Sequence, residues 1–259
     1  MRRYFLILLT ITLAGCQHGP KPYSLTVMSY NVRHGISMDG NPSKDAQAGV
    51  INQQSPHWLG LQEIDHFCQR SDSIDQTKKY GKLTGMQGYF GKFMDFDSGE
   101  YGMAVLSNLP VEKTKILKLP AGAEPRVAII QTLLLPNTLK IALVNVHFDW
   151  TKPAYRLPQA ETLINYLEDL QLPTIILGDY NAKPGSPTLD FFQKSGFHPV
   201  QKSDSTLTWP ADNPRVEIDH VFIRNTPQVR ITPKHIMVLD EPTASDHRPV
   251  VAQLVIEQR

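Results

Sequence analysis

Apolar runs typical of β-strands recur along this chain, and helical segments or turns separate them. Runs of this length and composition predict buried strands; they cover residues 25–30, 58–62, 103–107, 127–135, 140–147, 174–177, 216–223 and 249–256. Helical spacing and capping signals predict helices over 45–54, 76–83, 158–170 and 187–192. Because several strands follow one another directly, the pattern predicts a sheet-rich α/β sandwich.

The composition is that of a soluble globular chain. Of 259 residues, 41% are hydrophobic and 20% are charged, which excludes a disordered chain and a polytopic membrane protein. Two cysteines are too few for a disulfide-stabilised scaffold. No repeat or second shift in composition follows residue 22, so we expect one catalytic domain over residues 23–259.

The first 22 residues belong to a different physical class. A basic start precedes an apolar run over 4–13, which is too short for a spanning helix of about 20 residues but typical of a signal-peptide core. A buried N-terminal helix is the alternative. Residues 13–16, Leu-Ala-Gly-Cys, resemble the lipobox of bacterial lipoproteins. The resemblance implies a signal peptide over 1–15, lipidation of Cys16 and a lipid-anchored linker over 16–22.

This resemblance also implies a location in the cell envelope. Gln17, rather than Asp, follows the cysteine and favours the outer membrane, with the protein facing the periplasm. Removal of residues 1–15 leaves 24 basic and 25 acidic side chains, a net charge of −1. That balance disfavours nucleic acid as a partner, because a nuclease ordinarily carries a basic surface. Cys68 then has no cysteine to pair with besides Cys16, and we interpret it as a small apolar residue.

Acidic and amide side chains stand where predicted strands end. Asp179 and Asn181 follow the run 176–178 at a spacing that places them on one face of an extended chain. Such a pair suits a metal-assisted phosphoryl site, and a turn or helix cap is the alternative. Glu63 follows the uncharged run 59–62, so its carboxylate is exposed, paired or metal-bound.

Histidines accompany the remaining polar positions. Asn145 and His147 share one face of the strand over 140–147, although a lone histidine is usually a surface residue. Asp219 stands in an apolar strand, where a histidine partner would stabilise it. Asp246 and His247 directly precede the last strand and combine an oxygen ligand with a group that titrates near neutral pH. Each motif alone is weak evidence.

Taken in chain order, the motifs resemble those of the endonuclease/exonuclease/phosphatase superfamily, which includes pancreatic deoxyribonuclease, inositol-polyphosphate 5-phosphatases and neutral sphingomyelinases. They occupy residues 29–31, 61–63, 101–107, 145–147, 178–181, 218–220 and 245–249. The resemblance runs from about residue 25 to 256. It implies a four-layer α/β sandwich, in which two packed mixed β-sheets are flanked by helices and a cleft lies at one rim.

The resemblance implies a metal site. Glu63 would be the principal ligand of Mg²⁺, assisted by Asn31 and Asp246. Oxygen ligands without a Cys/His cluster favour Mg²⁺, with Mn²⁺ as the alternative, over zinc. A cation is expected because one histidine contributes only about 10²–10⁴-fold in rate, far less than phosphate ester hydrolysis requires.

Catalytic roles follow from the same resemblance. Asp179 would position and activate the attacking water, and Asn181 would orient the scissile phosphate. His247, held by Asp219, would contact the phosphate oxygen that gains charge. His147 would donate a proton to the leaving group.

Substrate-binding candidates are fewer. Arg126 starts a strand and resembles a position near the cleft in bacterial members, so a phosphate contact and a structural contact both remain open. Trp150, three residues after His147, is predicted to form part of the cleft wall. Glu100 stands where some nuclease members have a tyrosine, so no phosphate contact is assigned to Tyr101.

Three functions remain open. A Mg²⁺-dependent phosphoesterase acting on a small-molecule or lipid-linked phosphodiester or phosphomonoester fits the near-neutral charge and the lipid anchor; we expect it to be a monomer bound to the membrane through its N-terminal lipid. A cell-envelope DNA or RNA endonuclease predicts a basic groove. A non-catalytic binding lipoprotein predicts loss of motif residues, and Glu63, Asp179, Asp246 and His247 are all present.

Overall fold

Two packed β-sheets form the centre of this protein, as seen in a computed structural model that describes residues 21–203 and 205–259. The proposed signal peptide over 1–15 and the proposed lipidation site, Cys16, lie outside the described residues. Within those two ranges, no helix combines the length and apolar character needed to cross a membrane.

The sheets are built from twelve strands within the described residues: β1 (Tyr23–Asn31), β2 (Trp58–His66), β3 (Gln87–Phe96), β4 (Gly99–Ser107), β5 (Val111–Leu119), β6 (Arg126–Leu134), β7 (Lys140–His147), β8 (Thr174–Asp179), β9 (His198–Pro199), β10 (Asp219–Arg224), β11 (Val229–Val238) and β12 (Val250–Gln258). The α-helices of the same ranges are α1 (Lys44–Gln54), α2 (Gln76–Thr84), α3 (Pro153–Leu170) and α4 (Pro187–Lys194).

Each sheet contains six strands. Sheet I has the order β11-β12-β1-β2-β4-β3, and sheet II has the order β5-β6-β7-β8-β10-β9. The pairs β1–β2 and β7–β8 are parallel, and the other pairs are antiparallel, so both sheets are mixed. The predicted sandwich of two mixed sheets flanked by helices is confirmed.

Three apolar clusters account for the four layers. One cluster joins the facing sides of the two sheets and includes Trp58 and Leu177. A second packs α3 and α4 on sheet II, with Phe192 among its buried side chains. The third packs α1 and α2 on sheet I, around Ile51 and Tyr80. Burial of these aromatic and aliphatic side chains provides most of the driving force for folding.

The chain enters the sandwich at one end of the sheets and forms its polar site at the other. Lys21 lies beside the β6–β7 turn, where its carbonyl accepts a hydrogen bond from Asn137 Nδ2 at 3.2 Å. From this end β1 runs to Asn31 and β7 runs to His147. The rim that contains these two strand ends therefore lies opposite to the entry point of the chain.

Every predicted strand and helix is present, and most of them have shifted ends. Residues 135–138, Leu-Pro-Asn-Thr, have the composition of a hairpin turn between two predicted strands, and a hydrogen bond of 2.8 Å from Thr138 N to Leu135 O forms that turn. Ser186 caps α4, as expected, by accepting a hydrogen bond from Leu189 N. Cys68 is a buried free thiol, which agrees with its interpretation as a small apolar residue. The strands β3, β5, β9 and β11 were not predicted.

Candidate active site

A cleft of about 570 Å³ opens at the rim where β1, β2, β7 and β8 end. Loops that precede β10 and β12 complete its walls. The lining residues are Glu63, Tyr101, Glu124, Arg126, His147, Trp150, Asp179, Asn181, Lys183, Trp209, Val216, Ile218, Asp246 and His247. Asn31 and Asp219, the two remaining residues predicted for catalysis or metal binding, contact this set through side-chain hydrogen bonds. The fold thus brings together site residues that are far apart in sequence.

Asp179 lies between two histidines at the floor of the cleft. Its Oδ2 atom is 3.5 Å from His147 Nε2 and 3.7 Å from His247 Nε2. The other ring nitrogen of His247, Nδ1, lies 3.0 Å from Asp219 Oδ2. All four side chains are buried. A continuous polar chain therefore runs from Asp219 through His247 to Asp179.

Burial and neighbouring charges give these groups different protonation states. Burial would lower the pKa of His247, but the carboxylates of Asp219 and Asp179 outweigh it and raise this pKa to about 10. Burial raises the pKa of Asp179. Burial, assisted by the positive charge of Arg126, lowers the pKa of His147 to about 3. At neutral pH, His247 is therefore an imidazolium and His147 a neutral imidazole.

Glu63 occupies a β-bulge in β2. The pairing of β2 with β4 shifts register between Gln62 and Ile64, and the backbone of Glu63 has a φ of 60°. A bulge re-aims a side chain relative to the regular alternation of a strand. A non-glycine residue in this left-handed region is strained, and such strain occurs most often at functional sites.

The Glu63 carboxylate is ionised. Burial would raise its pKa, but the nearby rings of His34 and His147 and the amide of Asn31 lower it to about 2. His34 Nδ1 lies 3.9 Å from Glu63 Oε2. Asn31 Nδ2 donates to Glu63 Oε1 at 3.1 Å and to Asp179 Oδ2 at 3.2 Å. One amide therefore connects the predicted metal ligand to the predicted base.

The donor set of Glu63, Asn31 and Asp246 fits a hard divalent cation. Its two carboxylates supply oxygen ligands, which Mg²⁺, Mn²⁺ and Ca²⁺ prefer, whereas the Asn31 amide presents Nδ2 to Glu63 and would have to rotate to offer its oxygen. Asp246 Oδ2 lies 3.8 Å from Arg33 Nε, a distance too long for a strong ion pair. The Asp246 carboxylate therefore keeps capacity for a cation, and these residues are the ones that would hold it.

A second acidic group fits a metal less well. Asp179, Asp219 and His247 offer ligand atoms within 4.8 Å of one another. Both ring nitrogens of His247 face carboxylates, and the raised pKa keeps both of them protonated. A protonated imidazole has no lone pair for a metal. We therefore interpret this group as a hydrogen-bonded ion-pair chain.

Asn181 reaches the cleft through a turn. We expected extended backbone, but β8 ends at Asp179 and the φ of Asn181 is 48°. Asp179 Oδ1 accepts a hydrogen bond of 2.8 Å from Asn181 N, and Asn181 Nδ2 donates to Phe148 O at 3.0 Å. These bonds fix the amide beside the carboxylate, so the expected neighbourhood forms with a different backbone geometry.

Arg126 and Trp150 both line the cleft but differ in exposure. Arg126 is 2% exposed, its Nη2 pairs with Glu124 Oε2 at 2.8 Å, and its guanidinium lies 4.8 Å from the ring centre of Phe93. These contacts make Arg126 part of the wall structure, and its role toward phosphate stays a prediction. Trp150 is 63% exposed. Tyr101 also lines the cleft, although the sequence assigned it no role.

Buried amides that join the two sheets were only partly recognised in the sequence. Asn145 Nδ2 donates to Leu61 O at 3.1 Å and to Ala104 O at 2.9 Å, both in sheet I. Its Oδ1 accepts from Gln62 Nε2 at 2.6 Å. The bonds tie β7, which ends at His147, to the strand that carries Glu63. The sequence signal for these contacts is an amide side chain within an apolar run, Gln62 in 58–62 and Asn145 in 140–147.

The support of Asp219 was missed. Lys202, which is buried, donates from Nζ to Glu217 Oε1 at 2.6 Å and to the Asp219 carbonyl at 2.7 Å. Thr208 Oγ1 accepts from the backbone N of Asp219 at 3.3 Å. Both residues belong to a polar loop without periodicity, so no sequence signal marked them.

The fold and the site together define a class, that of hydrolases acting on phosphoesters at the rim of a two-sheet sandwich. The model of the Endonuclease/Exonuclease/phosphatase family matches residues 28–247, and this chain belongs to that family. No curated protein sequence matches the chain.

Solved structures share the fold at low sequence identity. A functionally unknown conserved protein from Enterococcus faecalis has a TM-score of 0.77 at 20% identity and covers 90% of this chain and 100% of its own. An endonuclease/exonuclease/phosphatase family protein from Bacteroides thetaiotaomicron has a TM-score of 0.76 at 20% identity, covering 92% and 99%. A mannosyl-6-phosphatase from the same organism has a TM-score of 0.74 at 20% identity, covering 89% and 99%.

Proposed function

We propose that this protein hydrolyses a small phosphate ester by direct attack of water on phosphorus, with a divalent cation as cofactor. One observation carries the proposal: Asp179 lies 3.5 Å from neutral His147 and 3.7 Å from His247, which Asp219 keeps charged, in the cleft that also contains ionised Glu63.

The cation is Mg²⁺, with Mn²⁺ as the alternative, and Glu63, Asn31 and Asp246 would hold it. When bound, it supplies positive charge for the phosphoryl oxygens and helps orient the ester. The acidic lining requires such a charge, because a phosphate anion approaching Glu63, Asp179 and Asp246 would otherwise be repelled.

Asp179 is the proposed general base. Its carboxylate lies at the cleft floor with Oδ1 fixed by Asn181 N, and the pKa raised by burial brings its basicity closer to neutral pH. A base of this kind orients a water and accepts its proton as the water attacks phosphorus. Asn181 is placed to donate from its side chain to a phosphoryl oxygen.

His247 is the proposed electrostatic stabiliser of the transition state. It is an imidazolium at neutral pH because Asp219 holds Nδ1, so its charge is present before the substrate binds. A preorganised charge of this kind needs no reorganisation when negative charge develops on the phosphoryl group.

His147 is the proposed proton donor to the leaving group. Its pKa of about 3 makes it neutral in the free cleft. The role therefore requires the negative charge of a bound phosphate ester to raise this pKa, as an opposite charge does within a few ångströms.

The charges of the cleft support a small ester over nucleic acid. Its lining contains four carboxylates, those of Glu63, Glu124, Asp179 and Asp246, against three cationic groups, those of Arg126, Lys183 and the charged His247. A nucleic-acid groove normally carries a surplus of Lys and Arg along the phosphate backbone. The structural likeness to a mannosyl-6-phosphatase is consistent with phosphatase activity.

We also propose that the protein is a monomer anchored in the outer membrane through lipidated Cys16. The linker from 16 to 23 extends at most about 25 Å. It joins β1 at the end opposite to the cleft, and β1 is nine residues, or about 30 Å, long. This placement favours a substrate in the aqueous phase over a phospholipid of the anchoring bilayer.

A substrate panel tests the proposal. Plasmid DNA, RNA, phospholipid, sphingomyelin and soluble phosphate mono- and diesters are incubated with the protein in Mg²⁺ or in EDTA. We expect hydrolysis of a soluble ester in Mg²⁺, none in EDTA, and loss of at least 100-fold in Asp179→Ala and His247→Ala.

Two outcomes would overturn it. Equal inactivity of wild type and both variants on every substrate would favour the non-catalytic binding lipoprotein. Cleavage of DNA or RNA, with a steep decrease in rate as salt increases, would favour the nuclease.

A further inference from the structure

Two exposed tryptophans stand at the mouth of the cleft. Trp150 is 63% exposed and Trp209 is 40% exposed, whereas Trp58, the third tryptophan of the chain, is fully buried. Both exposed indoles line the cleft together with the aliphatic side chains of Val216 and Ile218. Large aromatic surface left in water beside a polar site is typical of ligand binding.

The loop that carries Trp150 is held rigidly. The neighbouring residues Phe148 and Asp149 are fully buried. The Asp149 carboxylate accepts hydrogen bonds from the backbone N of Ala123 at 2.8 Å and of Thr151 at 2.8 Å. The backbone that carries the exposed indole is therefore held by buried neighbours and hydrogen bonds.

Trp209 is presented in the same way. Its backbone pairs with Val216 through hydrogen bonds of 3.1 and 3.0 Å. Thr208 and Ala211 on either side are fully buried, and Ala211 N donates to Asp246 O at 2.8 Å. A rigid aromatic side chain pays little conformational entropy on binding, so this arrangement favours ligand contact.

The two indoles flank the phosphate end of the site. Trp150 follows β7, Trp209 precedes β10, and β8, which leads into Asn181, lies between those two strands in sheet II. A phosphate placed at Asn181 would therefore direct its ester group to the space between the two tryptophans. Glu124 and Lys183 also line the cleft, and their side chains can bind hydroxyl groups.

We infer that Trp150 and Trp209 form an aromatic clamp for the ring of the leaving group, so that the substrate is a phosphate ester of a sugar, free or within a nucleotide, rather than of an open-chain alcohol or a lipid. The inference rests on the proposed function and adds the substrate class. Stacking of a ring on an aromatic face accounts for selectivity, and the hydroxyl groups of a sugar can bind Glu124 and Lys183 of the cleft, which an alkyl chain cannot do.

A pair of esters with the same phosphate and different alcohols tests the clamp. Mannose 6-phosphate and glycerol 3-phosphate are both esters of primary alcohols, and adenosine 5′-monophosphate separates the free sugar from the nucleotide. We expect wild type to prefer a ring ester by at least tenfold in kcat/KM. In Trp150→Ala and Trp209→Ala that ratio falls at least tenfold, chiefly through KM, and Phe at either position restores most of it.

Tyr89→Ala is the matched control, because Tyr89 is an exposed aromatic on β3 outside the cleft lining. The clamp is overturned if the ratio of kcat/KM for the ring ester to that for glycerol 3-phosphate is unchanged in both tryptophan variants. A wild-type preference for glycerol 3-phosphate overturns it as well. In both cases, hydrolysis of either ester still supports the proposed function.

Tryptophan fluorescence measures ligand binding at the clamp in the absence of hydrolysis. In Asp179→Asn, with Mg²⁺ present, we expect the ring esters to quench fluorescence while inorganic phosphate and glycerol 3-phosphate do not. The quenching should decrease when either Trp150 or Trp209 is also replaced by Phe, and it should be lost when both are replaced. If the ring esters quench fluorescence but wild type does not hydrolyse them, the clamp is retained and the proposed function is rejected. If no ring ester quenches fluorescence, the clamp is rejected.

Discussion

Asp219 decides the charge of the most central histidine in the cleft. Its Oδ2 is 3.0 Å from His247 Nδ1, and both groups are buried. Burial lowers the pKa of His247, and Asp219 makes the largest contribution that opposes it, ahead of Asp179. Asp219, which does not line the cleft, therefore helps to set the pKa of His247, which does.

Replacement of Asp219 tests that dependence. In Asp219→Asn the shape is retained but the negative charge is lost, so we expect kcat to fall about 10²–10⁴-fold at pH 7. Steady-state kinetics on the preferred ester measure it. Asp169→Asn, at an exposed position near the end of α3, is the control. A kcat within twofold of wild type in Asp219→Asn would contradict the role of the carboxylate.

His220 links stability to pH outside the proposed metal site. Its Nε2 lies 2.8 Å from Ala182 O, and burial lowers its pKa to about 4. An unfolded histidine has a pKa of about 6.5, so between these values the unfolded state binds more protons. Stability from this group is therefore complete above pH 6.5 and is lost as pH falls toward 4.

We expect His220 to lower the free energy of unfolding by about 2 kcal/mol between pH 7 and pH 5. Urea unfolding in EDTA at both pH values measures it, and His220→Gln should show a correspondingly smaller loss. His198→Gln, at an exposed residue of β9, should lose as much as wild type. An identical pH dependence in wild type and His220→Gln would refute the assignment.

Among the elements, β8 shows how tightly the site strands are packed. Gly178, next to Asp179, has a φ of 148°, and a Cβ built there would lie 2.0 Å from the carbonyl oxygen of Val146 in β7. The close approach of β7 and β8 places His147 and Asp179 opposite each other in the parallel pairing. A side chain at residue 178 would force the two strands apart.

Gly178→Ala should therefore destabilise the fold by about 3 kcal/mol or more, since a severe clash adds to an unfavourable φ. Denaturant unfolding measures the effect. Gly49→Ala is the matched control, because Gly49 lies in α1 with no atom within 4 Å of the added Cβ. There the same change should be stabilising by up to about 1 kcal/mol. Equal stability of Gly178→Ala and wild type would show that the strands can separate.

The elements predictable from sequence are those with apolar runs. The strand β7 has the predicted ends, Lys140 and His147, because all its interior residues are buried. In contrast, β5 (VEKTKILKL) lies at an edge of sheet II with one face in solvent. Its charged residues interrupt the apolar run, so the sequence did not predict this strand. The bulge at Glu63 was not predictable from sequence either, because a register shift depends on the partner strand.

For the site as a whole, the motif residues were predictable and their supports were not. His147, Asp179 and His247, to which we assign the chemistry, stand out by residue type. Lys202 lies in a polar loop, and its partners, the Glu217 carboxylate and the Asp219 carbonyl, are 15 and 17 residues further along the chain. Local sequence cannot report such contacts, because they form between distant segments.

The arrangement of the whole molecule predicts that the membrane leaves the cleft free. The chain enters at the sheet end opposite to Asp179, and the linker is short. The lipidated protein on vesicles and the soluble domain over 23–259 should therefore hydrolyse a soluble ester with kcat/KM values within threefold of each other. A vesicle-bound form at least tenfold slower would show that the cleft faces the bilayer.

The central claim is that the cleft hydrolyses a phosphate ester with a cation held by Glu63. The most direct measurement is the initial rate on the preferred ester, after dialysis against EDTA, as a function of added Mg²⁺ for wild type, Glu63→Gln and the control Glu112→Gln. Wild type and Glu112→Gln should be inactive without cation and recover along the same saturation curve, whereas Glu63→Gln should need at least tenfold more Mg²⁺. Equal rates with and without Mg²⁺, or one curve for all three proteins, would contradict the claim.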